Sequence, residues 1–246
     1  MLHAMSQETE PTPPTPSSDT PASATAPSEP TSPDSSAEPR EDGDLASAAL
    51  EQWPELLWRR LQRATESAKP PFHLPTLCSI TPEGLPAARI VVLRRVEPDA
   101  PAVMCHTDRR APKVEQLTRQ PAASWVFYDP PAKIQLRVAG RSTIHTDDAL
   151  ADAQWDASSL SSRRCYLAPA SPGEPVDWPS PNLPEGVRDR RPTAEEAAPG
   201  RANFAVVRTV VESFDVLFLH HAGHRRARFD FTPGRRVPTR AQWLEV

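Results

Sequence analysis

Two adjoining stretches decide the reading: "RIVVLRR" from Arg89 to Arg95, and "CHTDRRAPK" from Cys105 to Lys113. The first is an apolar strand bracketed by arginines. The second ends a strand on His106-Thr107 and opens a short helix with Arg109, Arg110 and Lys113. A helix N-terminus offers free N–H groups and a field that favours an anion. Arginine forks and a threonine hydroxyl supply directed donors for phosphate oxygens. Charge-assisted bonds contribute about 1.5–3 kcal/mol each, so three leave a shortfall against the roughly 8 kcal/mol of micromolar binding. An anion held here must also bury a flat apolar surface. On residues alone, a solvated basic patch and an anion site both stand.

Around these stretches the chain reads as strands. "FHLPTLCSI" (72–80), the turn "TPEG" and "LPAARIVVLRRV" (85–96) form an antiparallel pair, with Pro and Gly where a type I turn favours them. "PAVMCHT" (101–107), "AASWVFY" (122–128) and "KIQLRVAGRSTIH" (133–145) follow. In the last, Ile134, Leu136 and Val138 alternate with Gln135 and Arg137, which predicts one apolar and one polar face. A helix over 110–120 should turn Val114 and Leu117 inward. A helix in "TDDALADAQWDAS" (146–158) takes Thr146 as its expected N-cap.

Upstream, Leu50, Trp53, Leu57, Leu61 and Ala64 mark a helical stripe, with Trp53 and Trp58 expected in the core. Asp44 is the expected cap of a short helix opening at Leu45, and Pro54 falls in the first turn of a second helix, where its missing N–H is tolerated. "NFAVVRTVVESFDVLFLHH", "RRARFDF" and "AQWLEV" close the chain. About seven antiparallel strands with few helices suggest a small closed barrel, which leaves no sheet edge bare.

Composition sets the limits. The chain has 246 residues, with 31 prolines against 8 glycines, 38% hydrophobic residues and a net charge of −4. That balance gives no general case for nucleic acid. Residues 1–43 hold Pro, Ser, Thr, Ala and acids, and are expected to form a disordered tail ahead of a domain over 44–246. A Pro-rich loop is expected over 168–202, long enough to be functional or mobile. Three widely spaced cysteines fit reduced thiols; with no leader-like start and no long apolar run, a soluble cytoplasmic protein is expected.

Hydrolase, zinc-protease, nucleotide-loop and dinucleotide motifs are missing from the sequence. His220, His221 and His224 read as solvated imidazoles at a hairpin tip, so no metal is expected. Cys105 and His106 point to opposite faces of one strand and cannot form a nucleophile–base pair.

In order and spacing, "R-I-V-V-L-R" (89–94), "H-T-D-R-R-A-P-K" (106–113) and "Q-L-R-V-A-G" (135–140) resemble the pyridoxamine 5′-phosphate oxidase-like FMN-binding split-barrel family, closer to its uncharacterised FMN-binding members than to the authentic oxidase. The resemblance implies a mainly β fold: a split β-barrel of about 6–8 antiparallel strands with a few flanking helices. It implies FMN, with Arg89, Thr107 and Lys113 on the phosphate and the backbone of Val91, Val92 and Leu93 along the ring. Arg94 would stand near the ring's pyrimidine edge, and Gln135 and Arg228 would reach the flavin. His106 joins this set, and Arg110 could replace the phosphate donors lost at Ala111 and Pro112. Trp155 falls near the family's substrate-phosphate tyrosine, Ser159 at the neighbouring arginine, and Leu217 at the tryptophan beside the flavin. With these changes the resemblance implies FMN binding and leaves the substrate open.

The resemblance also implies a homodimer with the flavin between subunits; from charge and hydropathy, no nucleic-acid or membrane partner is expected. The functions implied are an FMN-dependent oxidoreductase of unknown substrate, or a flavin-binding sensor or store without turnover. Binding of a partner through the tail is a third reading. His106 and Arg226 are the candidates for an acid or base.

Overall fold

A computed structural model describes residues 45–246; the expected tail and the Asp44 cap lie outside the described residues. After a turn over 45–48, helix α1 (Trp53–Glu66) takes Pro54 in its first turn, so the short first helix is replaced by a 3₁₀ turn at Leu50–Gln52. Its apolar stripe is fully buried: Trp53, Leu57, Trp58, Leu61 and Ala64 have no exposed surface. Trp58 packs on Phe214 at 4.8 Å and Phe231 at 6.1 Å, so this helix plugs the apolar interior of the sheet.

Among the described residues, nine antiparallel strands form one sheet: β1 (Thr76–Ile80), β2 (Pro86–Ile90), β3 (Arg95–Glu97), β4 (Ala102–Asp108), β5 (Ala122–Asp129), β6 (Ile134–His145), β7 (Phe204–Phe218), β8 (Arg225–Asp230) and β9 (Arg240–Leu244). The count exceeds expectation for two reasons. "AQWLEV" pairs with β8, and the strand expected over 85–96 bends into two.

That bend closes the barrel. The order runs β2–β1–β5–β6–β7–β4–β3, so the two ends are successive parts of one strand. Through the bend, the Val91 N–H donates to the Pro75 carbonyl and the Leu93 N–H to that of His73, both at 2.9 Å. One residue on, the Arg94 N–H turns to the Met104 carbonyl at 2.8 Å. Chain continuity thus joins the β1 side to the β4 side.

β8 and β9 stand outside this ring. β7 pairs with β4 through Phe204–Val210 and with β8 through Ser213–Phe218, and the register against β6 shifts between Ala139 and Gly140. The shift places an extra residue, Glu212, between the two partnerships, as a β-bulge does when a strand changes neighbours. At this point a Cβ on Gly140 would overlap the Val210 carbonyl, so only glycine lets the two backbones approach.

A smaller second core lies under helix α3 (Ala149–Ala157), where Met104, Trp155, Phe204 and Val206 meet Leu150 and Tyr166. Asp148, not Thr146, caps this helix: its carboxylate accepts the Ala151 N–H at 2.9 Å. The carboxylate two residues further on reaches the third N–H of the first turn, and the expected cap lies too early.

The Pro-rich segment 168–202 folds back onto the domain with short helical turns, among them Ala194–Ala197, which carries a capping box from Thr193 and Glu196. Prolines donate no hydrogen bond, so carbonyls here need other donors. Arginines supply them. Arg164 Nη1 reaches the carbonyls of Val187, Arg188 and Arg190 at 3.4, 3.0 and 3.2 Å. Asn182 clasps both the N–H and the carbonyl of Ala170 at 3.0 Å. Arg164→Ala is expected to raise the rate of protease cleavage within 184–191 several-fold while leaving the sheet's thermal transition in place. Limited proteolysis followed by mass spectrometry reads the cut sites. Among the described residues, no helix is long and apolar enough to cross a membrane.

Candidate cofactor site

Arg89 stands opposite Leu77 on the core-facing side of β2, half-buried. Nη1 donates to the Leu77 carbonyl at 3.1 Å and to Ser79 Oγ at 2.7 Å, and Nη2 donates to Gln116 Oε1 at 2.9 Å. Ser79 Oγ donates to the same Gln116 oxygen at 2.6 Å. The Nε–H and one Nη2 hydrogen remain unbonded among the described residues, pre-positioned on a fixed fork.

Helix α2 (Pro112–Arg119) brings up Lys113, the residue after its opening proline. Lys113 Nζ donates to Thr107 Oγ1 at 2.9 Å, and Thr107 is only 5% exposed. Burial lowers the Lys113 pKa, and Arg89 adds to the effect by repulsion. Arg94 is exposed and has no side-chain partner among the described residues.

The fields of Arg89, Lys113 and, from the other side of the bend, Arg94 all reach the buried Cys105 thiol, which burial nevertheless pushes up to about 12. The neighbouring carboxylate, Asp108, is already neutralised by Arg110, at 2.9 Å from Nε and 2.6 Å from Nη2. Arg89, bonded to Gln116 one helical turn from Lys113, and Lys113, bonded to Thr107, therefore bring two cations to one place, beside a carboxylate that Arg110 already neutralises. The donor set fits a dianion.

The backbone around the bend completes the place. Leu93 is fully buried and Val91 packs against the core, which turns Val92 and Arg94 to the other side. Between the two bonded N–H groups of Val91 and Leu93, the Val92 N–H makes no backbone hydrogen bond among the described residues.

Other expected members lie apart. Arg110 cannot stand in for the lost phosphate donors: besides Asp108, it holds the carbonyls of Ala168 at 2.8 Å and Pro169 at 3.2 Å. Gln135 lies on the outer face of β6, in register with Leu217 and through it with Arg226. Arg228 lies on that outer face too, with its Nε 2.8 Å from Asp230. Within one chain, Gln135 and Arg228 are thus separated by the sheet from the core-facing Arg89. Arg226 is paired with Asp215, whose carboxylate burial pushes up but whose hydrogen bonds from Arg226 and Arg137 hold low.

His106 faces the second core. Its ring lies edge-on to Phe204 at 4.9 Å, with Nε2 3.3 Å from Gln154 Oε1. Burial lowers its pKa to about 4, so it is neutral near pH 7. Since folding holds the ring neutral, its contribution is fully present above the ordinary 6.5 and is lost as pH falls towards 4. His106→Asn should flatten stability between those pH values, as followed by denaturant melts across the range.

Trp155 is 6% exposed, packed against Phe204 at 5.3 Å and Tyr166 at 6.0 Å, with the Arg163 guanidinium 4.9 Å over its ring. A phosphate has no place there. Sequence reasoning missed Ser79, Gln116 and Tyr166. Two signals were present: Ser79 is a polar residue at an inward position of β1, and Gln116 lies one helical turn after Lys113. Among the described residues, no group of three or more His, Cys, Asp or Glu could hold a metal ion.

Comparison with known proteins bears on the fold and on residues 50–146. Residues 50–146 match the family described as pyridoxamine 5′-phosphate oxidase, FMN-binding domain. The chain is 31% identical over 108 residues to pyridoxine/pyridoxamine 5′-phosphate oxidase 2 of Arabidopsis thaliana, covering 41% of this chain and 54% of that protein. Over 121 residues it is 31% identical to pyridoxine/pyridoxamine 5′-phosphate oxidase of Roseobacter denitrificans, covering 49% and 55%. The chain therefore spans about half the length of these curated relatives. In fold it is similar to a pyridoxamine 5′-phosphate oxidase-related, FMN binding protein of Nostoc punctiforme, with a TM-score of 0.63 at 22% identity over 81% of this chain and 100% of that one. Residues 50–146 thus resemble the FMN-binding domain of the pyridoxamine 5′-phosphate oxidase family, and the ring of antiparallel strands has the split-barrel fold of this structural neighbour.

Proposed function

We propose that this protein binds FMN and acts as an oxidoreductase of the pyridoxamine 5′-phosphate oxidase-like type. One observation carries the reading: Arg89, bonded to Gln116 of α2, and Lys113, one turn earlier on that helix and bonded to Thr107, stand beside a carboxylate that Arg110 already neutralises. Lys113, Thr107 and the unbonded donors of Arg89 hold the phosphate. The backbone of Val91, Val92 and Leu93 supports the ring, and Arg94 stands by its pyrimidine edge, where a cation favours negative charge on the reduced ring. Bound FMN supplies two-electron transfer.

Gln135 and Arg228 join the site from a second copy of the chain, which makes a homodimer the working unit. In support, the outer face of the sheet carries the exposed Ile90, in register with Thr76 and Val126, and the exposed Ala88, in register with Cys78, Ser124 and Ala139. Small and apolar side chains of this kind suit a flat contact between subunits. With Trp155 filling the place of a phosphate-binding tyrosine, the substrate proposed is not a vitamin B6 phosphate.

The test is anaerobic reduction of the FMN-loaded protein by NADPH, followed in the flavin absorption band, then re-oxidation in air. Reduction and recovery are expected. A protein that takes up no FMN would end the reading; one that holds FMN but is reduced by no physiological donor would be a flavin store or sensor.

A further inference from the structure

The Pro-rich segment encloses a second cavity. Where residues 166–169 face residues 184–199, a space of about 490 Å³ opens, within the range of small-molecule sites. Leu167, Ala168, Pro184, Val187 and Pro199 give it apolar, largely rigid walls.

Its charged lining groups are engaged elsewhere. Arg110 binds Asp108 and two loop carbonyls, and Glu196 is held by both Nη groups of Arg190 and by the Thr193 N–H. An anion would find no free cation here and would meet the Glu196 carboxylate. Two polar groups remain: among the described residues the Tyr166 hydroxyl makes no hydrogen bond, and Asn203, whose Nδ2 donates to the Tyr166 carbonyl at 2.9 Å, keeps Oδ1 unbonded. Burial pushes the Tyr166 phenol up, so it keeps its proton and can donate it to an acceptor.

We propose that this cavity binds an uncharged, ring-sized, mainly apolar molecule carrying one carbonyl-type acceptor, which takes the Tyr166 hydroxyl hydrogen bond. The site is separate from the phosphate cradle and does not rest on the FMN reading. The two adjoin at Arg110, which ties the cavity wall to Asp108 beside Thr107.

The probes are 1-tetralone, a bicyclic ketone, and tetralin, the same rings without the oxygen. Saturation-transfer NMR and titration on the full chain give binding and Kd. Gly186 lines the cavity, and a Cβ there meets nothing within 4 Å, so Gly186→Phe fills the space without disturbing the backbone. It should weaken both probes by about tenfold or more, since the volume they need is gone. Tyr166→Phe keeps the ring and should weaken 1-tetralone by about fivefold, the worth of one neutral hydrogen bond, while leaving tetralin unchanged. Failure of 1-tetralone to bind, binding untouched by Gly186→Phe, or equal loss of both probes in Tyr166→Phe would each overturn the proposal. A chain that binds 1-tetralone as expected but takes up no FMN would overturn the proposed function and leave this inference standing.

Discussion

Lys113→Ala is expected to weaken FMN binding roughly tenfold or more and to leave riboflavin binding where it was. Among the described residues Lys113 is held by a single hydrogen bond, to Thr107, and its pKa is lowered by burial and by the nearby Arg89. A phosphate dianion relieves both effects, so the ammonium group should contribute a full charge-assisted bond. Little else depends on it, and the thermal transition of the FMN-free variant should not fall. Arg89→Ala is a less clean test, because Arg89 also ties β1 to α2 through the Leu77 carbonyl, Ser79 and Gln116. That variant should lose FMN affinity and thermal stability together. Titration by flavin fluorescence, with riboflavin in parallel, separates the two. If Lys113→Ala lowered riboflavin and FMN binding equally, the cation would be acting on the fold and not on the phosphate.

Gly140→Ala should destabilise the fold by about 3 kcal/mol or more, enough to remove much of the stability of an ordinary domain. The added methyl would meet the Val210 carbonyl, which is backbone and cannot rotate away, at the residue pair where β7 exchanges β4 for β8. Relief requires β6 and β7 to separate, and that breaks the longest pairing in the sheet. Gly186→Ala, where the same added methyl meets nothing within 4 Å, is the control and should change stability by no more than about 1 kcal/mol. Urea melts of the three proteins decide it; a Gly140→Ala transition matching the parent would mean the bulge yields at little cost.

Much of the barrel was legible because its strands alternate. Ile134, Leu136 and Val138 are buried while Arg137 is exposed, as period-two patterning requires. The bend at Val91–Arg94 was not legible, because an apolar run gives no sign of where its hydrogen-bond partner changes. β9 was not legible because "AQWLEV" is too short to be judged without the β8 edge it pairs with. Around the expected cradle, Lys113 bonds Thr107 and Arg89 bonds Gln116 of the same helix, while Arg94 lies exposed across the bend. Arg110 does not join them, since sequence cannot show that loop carbonyls fifty-eight residues away claim its donors. Gln135 and Arg228 are on the far face of the sheet for a simple reason: residue parity fixes the side, and a strand motif names no subunit.

The ring's seam has a consequence for the order of assembly. Its closing contacts link His73, Pro75, Arg94 and Met104, which are near one another along the chain and can meet early. β6 and β7 are different: Ile134 must find Phe218, and His145 must find Val206, with α3 and the whole Pro-rich segment between them. Closing so large a loop is slow, and its entropy is recovered only when the pairing completes. Refolding should therefore be limited by that search, and a chain shortened within 171–182 should refold faster than the parent.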